Sequence, residues 1–121
     1  MKNRDQIRAR NALEALSERS DLTKGQQGGD ALTGFPAFII GNGLLATIAY
    51  SIAKGAGYPH ICDAIARHLA DPEISLIPKD SGSTNGLRDY LAESESEVLR
   101  LCTAESLAYL NYLRRFAKAA N

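Results

Sequence analysis

The chain has 121 residues, and its 14 basic and 14 acidic side chains cancel, so overall charge excludes any general attraction to nucleic acid or membrane and leaves only local patches to supply one. With 45% apolar and 23% charged residues, it has the composition of a globular protein. Its length suits one domain over residues 1–121, able to hide roughly two-thirds of its unfolded surface.

The first ten residues are polar and carry Lys2, Arg4, Arg8 and Arg10 against Asp5 alone. With no apolar run behind them, no secretory signal is read and a cytoplasmic location is expected. A helix is predicted over residues 4–22, with Ile7, Ala9, Ala12, Leu13 and Leu16 as its apolar stripe and Arg4, Arg8, Asn11 and Glu18 as its outer face. The glycine-bearing stretch Lys24–Asp30 predicts a mobile loop near 23–34.

Next comes "IIGNGLLA", Ile39–Ala46, which fits the pattern G-x-G-x-x-A. A dinucleotide turn would need a strand before it and a second strand beyond, and no convincing strand pattern occurs in the chain. A membrane span is long enough on paper, since Ala31–Ala53 is uncharged. Against it, withdrawing this segment into lipid would leave the apolar faces of the flanking helices wet. The preferred reading is one helix over 36–54, started by Pro36, ended by Gly55, and buried as the centre of a bundle. Gly41 and Gly43 then mark close approach of a neighbouring backbone, and Asn42 caps or bridges helices.

A helix from Pro59 to Ala70 follows, stopped by Asp71-Pro72. Residues 71–86 are expected to be a second mobile loop, and Leu87–Ala92 one or two helical turns. Ser94 and Glu97 have the spacing of a capping box, opening a helix to about Ala120. Val98, Leu101, Cys102, Leu107, Ala108, Leu110, Leu113 and Phe116 line its apolar face. The fold class is therefore all-α, a compact helical bundle.

Cys62 and Cys102 lie in apolar helical patterns and are read as buried free thiols. A zinc site from His60, Cys62, His68 and Cys102 lacks the short paired spacing such sites show, so no metal is expected. His68 is read as a cation at its helix C-terminus. Glu105, beside the apolar face of the last helix, is expected to be a buried carboxylate paired with an arginine. No catalytic constellation is found, so no enzyme activity and no cofactor are expected. Arg4 and Arg8 lie one turn apart, and Arg114, Arg115 and Lys118 end the chain without an acid after Glu105. Each set is either a solubilising face or a contact for an RNA backbone. Tyr109 and Tyr112 suit a subunit interface better than base stacking.

Pro36–Lys54, "PAFIIGNGLLATIAYSIAK", resembles the central signature of the small α-helical subunit of Cmr-type (type III-B) CRISPR effector complexes. Thr103–Ala117, "TAESLAYLNYLRRFA", is similar to that family's last helix, and "QIRARNAL" to its basic first helix. The resemblance covers about half the chain in three ordered blocks. It implies a non-catalytic, helical subunit of an antiviral ribonucleoprotein, with copies stacked beside larger backbone subunits and lining the channel for guide and target RNA. Its partners would be the other effector subunits, further copies of itself, and both RNAs by backbone contacts, with no membrane. The RNA-contact candidates are then Arg4, Arg8, Lys54, Arg114, Arg115 and Lys118. A generic helical adaptor that binds only protein is the alternative.

Overall fold

A computed structural model describes residues 2–19, 22 and 31–120 of the chain. They form α1 (Arg4–Glu18), α2 (Ala31–Asn42), α3 (Leu44–Lys54), α4 (Tyr58–Ala70), a 3-10 turn (Lys79–Ser81), α5 (Thr84–Glu93) and α6 (Ser96–Ala120). No strand occurs among the described residues, so the all-α expectation holds. Residues 23–30 of the expected first loop lie outside the described residues, and 31–34 are the first turn of α2.

The predicted single helix over 36–54 is two helices. Gly43 adopts φ 91°, a conformation that glycine takes at no steric cost, and the chain turns there. Its N–H still reaches the Ile39 carbonyl at 2.7 Å, while its own carbonyl accepts from Thr47 at 3.1 Å. Asn42 closes α2 by donating its side-chain amide to the Phe38 carbonyl. Pro36 sits inside α2 rather than at its start. A Cβ at Gly41 or Gly43 would meet nothing within 4 Å, so close backbone packing does not explain either glycine. At 12 and 11 residues, each helix is about 16–18 Å long, well short of the bilayer's hydrocarbon core. No helix among the described residues is long and apolar enough to cross a membrane.

Nor is this segment the buried centre. α2 buries Ala31, Leu32, Phe35 and Ile39, and α3 buries Leu44, Thr47, Ile48 and Ser51, one stripe each. Ile40 is left 73% exposed. The central helix is α4, which touches every other helix and buries Ile61, Cys62, Ala64, Ile65, Ala66, His68, Leu69 and Ala70. Its alanines let neighbours approach from several sides, which a mean hydropathy does not register.

Residues 71–86 pack on the core. Ile74 and Ile77 are buried, and the amides of Leu76 and Ile77 both donate to the Leu69 carbonyl. α5 is longer than predicted because it has two caps. Ser83 accepts from the Gly86 amide at 3.0 Å, and Asp63 of α4 accepts from the Thr84 amide at 2.7 Å. The Ser94–Glu97 capping box does not form. Ser94 instead ends α5, its hydroxyl donating to the Tyr90 carbonyl, and Glu97 is held by Arg100. A capping box does occur at Asn3 and Gln6, where it starts α1. In α1 Leu13 is 53% exposed, and in α6 Leu101 is 41% exposed; both fall outside the stripes assigned to them.

Two glycines give opposite expectations. A Cβ at Gly86 would lie 2.9 Å from backbone atoms of Ser81, so Gly86→Ala should destabilise by about 1–3 kcal/mol. Gly41, helical with open space around it, should gain up to about 1 kcal/mol as Gly41→Ala. Urea unfolding of the two variants beside the parent chain measures both.

Candidate functional site

Capping at Asn3 sets where α1 begins, and so which side chains share a face. Arg4, Arg8 and Asn11 fall at helical spacing on one side. That side, expected to face solvent, is turned toward α4 and α6. The reason is Glu105, a carboxylate only 3% exposed. Arg8 grips it with two parallel bonds, Nε to Oε2 at 2.7 Å and Nη2 to Oε1 at 2.7 Å, and Arg4 reaches Oε1 at 3.4 Å. His68 Nε2 lies 2.9 Å from Oε2. The pairing expected for Glu105 is thus present, with a histidine added.

The network runs on through α4. Asn11 Nδ2 stands 2.9 Å from His68 Nδ1 and 2.9 Å from Asp71 Oδ2. A carboxylate accepts only, so Asp71 sets the Asn11 amide with its NH2 toward both neighbours. His68 Nδ1 is therefore an acceptor, and Nε2 carries the proton given to Glu105. Asp71 is anchored in turn by Arg10 at 2.8 Å, whose other nitrogen holds Glu73. His68 thus sits in the last turn of α4 with its ring nitrogens on Asn11 and Glu105 rather than on the helix end. It is buried and stacks on Tyr109 with ring centroids 4.3 Å apart at 12°.

Tyr109, read as an interface residue, is 1% exposed within its own chain. The stacking on His68 places it in the core, and it cannot meet a partner there. Tyr112 is half-buried, 6.1 Å from Phe116. Its phenol is pushed up, first by desolvation and then by the charge and hydrogen bond of Asp5. That contact sets the N-terminus of α1 beside the C-terminal half of α6.

Arg114, Arg115 and Lys118 are exposed on α6, and none forms an ion pair among the described residues. Arg115 Nε bonds Asn111, leaving its terminal nitrogens outward. The Arg4 side chain is 50% exposed and that of Arg8 19%. Arg8 is thus committed to Glu105 and Asp5, while Arg4 points partly outward. Lys54, exposed, closes α3.

The remaining reactive groups are quiet. Cys62 and Cys102 are free and buried, and burial pushes both thiols up to about 11, which starves them of thiolate. Among the described residues, no group of three or more His, Cys, Asp or Glu is placed to hold a metal ion. A cleft of about 300 Å³ beside the network is lined by charges of both signs, Glu14, Asp71, Arg67 and Lys79. Sequence reasoning missed Asn11, His68 and Asp71 as network members. The one available signal was the register shared by Arg4, Arg8 and Asn11.

The family model described as CRISPR-associated protein (Cas_Cmr5) matches residues 4–120. No curated protein and no solved structure matches the chain.

Desolvation pulls the Glu105 pKa up, but the hydrogen bonds of Arg8 and His68 and the Arg8 charge outweigh it and hold the group below its ordinary 4.5. A depressed carboxylate stabilises fully above its unfolded value and loses that contribution as pH falls through its folded value. Unfolding free energy should therefore fall on this account as pH drops below 4.5. Urea unfolding across that window should show a shallower decline in Glu105→Gln, whose amide cannot titrate. An identical decline in both proteins would contradict the assignment.

Proposed function

Because the chain belongs to the Cas_Cmr5 family, the Cmr-type (type III-B) CRISPR-associated small subunits, we propose that it is a non-catalytic subunit stacked in copies along the backbone subunits of a cytoplasmic antiviral effector, lining the channel where guide and target RNA pair. The observation that supports this reading is the exposed basic set Arg114, Arg115 and Lys118 on α6, none of which forms an ion pair among the described residues, with Arg4 half-exposed on α1. In a chain of zero net charge, this is a local surplus. Phosphate contacts of this kind position RNA without reading its sequence.

A few such charges bind weakly alone, and repetition along an assembly makes them effective by raising local concentration. Arg8 contributes indirectly by holding α1 in place, and Lys54 adds a further exposed cation. The absence of enzyme activity in this reading rests on chemistry already described. Among the described residues, the buried carboxylate Glu105 is locked in ion pairs, and the thiols are protonated.

Charge reversal tests the reading. Arg114→Glu, Arg115→Glu and Lys118→Glu together touch no core contact, so the variant should still co-purify with backbone subunits and guide RNA. Target-RNA affinity should fall about tenfold or more, with a weaker dependence on salt. Unchanged affinity and salt dependence would favour a protein-only adaptor. A parent chain that never enters such a complex on co-expression would remove the effector reading itself.

A further inference from the structure

The hinge between α2 and α3 is a single residue. Gly43 holds φ 91° and ψ 159°, a backbone region that essentially only glycine occupies. On either side of it the helical ladder is already in place. The Gly43 amide donates to the Ile39 carbonyl and the Thr47 amide to the Gly43 carbonyl, both between residues four apart, as in an uninterrupted helix. Returning Gly43 to helical angles would join α2 and α3 into one rod from Ala31 to Lys54, about 36 Å long. The periodicity of 36–54 is that of such a rod. What bends it is the burial of Leu32, Phe35 and Ile39 in the core.

α2 packs on α3, α4 and α6, and α1 on α4 and α6. If both swing out about Gly43, the surface they vacate is matched by the same two helices of a second copy. Every core contact is then remade between chains, and only the hinge and the new contact between copies differ. Two features make an identical chain the fitting occupant. Ala31–Ala53 carries no charge, so two such rods can cross without like charges meeting. Ile40, three residues before the hinge, is 73% exposed, and Ala46, three residues after it, is exposed as well. These side chains flank the point where the rods of two copies would cross, and the crossing would cover them.

We infer that the chain has a second state, a two-fold domain-swapped dimer in which Gly43 straightens and α1 and α2 of each copy pack on α3–α6 of the other. Arg8 of each copy then grips Glu105 of the other. This closed pair differs from copies stacked along an assembly, and it does not depend on the effector reading.

Size exclusion with light scattering, followed by amide hydrogen exchange, tests it on the full chain. The parent refolded from urea at millimolar concentration should give monomer and a minor dimer that persists on dilution, because exchange requires α2 to leave the core. Gly43→Ala should raise the dimer fraction about tenfold or more, since alanine is strained in the bend and not in the rod. Inserting three glycines after Gly43 relaxes the turn and should abolish the dimer. In the dimer the amides of Leu44, Leu45 and Ala46 should gain protection, because a continuous helix gives them acceptors one turn back that a helix start lacks. A folded Gly43→Ala that stays monomeric, a dimer whose three amides stay unprotected, or a dimer undiminished by the insertion would each overturn the inference. If Gly43→Ala does not fold, the refolded parent decides alone: a dimer with those amides protected supports the swap, and monomer only overturns it.

Discussion

The architecture depends on one carboxylate taken out of water. Burying the Glu105 charge costs several kcal/mol, and attraction repays this only when geometry is good and the remaining lone pairs are satisfied. Here Arg8 supplies a two-point grip, His68 a third donor and Arg4 a longer contact. The two-point grip has directional consequences. A planar guanidinium fits a carboxylate fork in few orientations, so α1 is held against α6 in one register. The apolar face of α1 is thin, with Ile7, Ala12 and Ala15 as its buried residues, and would tolerate sliding. Polar contacts thus define where the N-terminal helix lies, and small apolar side chains fill the space beneath it.

That division of labour explains which parts of the fold were legible in the sequence. Periodicity placed α4 and α6 within a residue or two, and the buried, arginine-paired state of Glu105 followed from its position beside an apolar face. The same logic failed for Arg4, Arg8 and Asn11, because charged residues default to the solvent side and helical spacing alone does not say which side is out. Only the partner on α6, nearly a hundred residues away, turns that face inward. The 36–54 segment failed for a different reason. Hydropathy counts apolar residues without direction, so two one-sided helices joined at Gly43 look like one greasy rod. The α5 boundary was lost because one of its caps, Asp63, comes from another helix. Tyr109 was misplaced because a stacking partner, His68, sits on a separate element. Such non-local contacts leave no local signature.

The family match bears on the same gap. The resemblance rested on three blocks, around α1, the α2–α3 hairpin and the C-terminal half of α6, and left 71–92 unconnected. The family match runs through that region, and the structure shows why it belongs with the rest. Asp71 joins it to α1 through Arg10 and Asn11, and the buried Ile74 and Ile77 join it to the core.

What remains is whether the basic end has an explanation inside the chain. Part of the charge on α6 does. Glu97 lies in its first turn and Lys118 in its last, as the helix dipole favours, worth about 0.3–1 kcal/mol each. That effect fades beyond the terminal turn, so it does not reach Arg114 and Arg115. Neither has an acid partner among the described residues, whereas exposed arginines elsewhere do: Arg67 with Glu18, Arg88 with Asp89, Arg100 with Glu97. Adding an acid one turn away is a small change that would have neutralised them at a gain of a few tenths of a kcal/mol. Stability therefore gives no reason for leaving these two arginines without an acid partner.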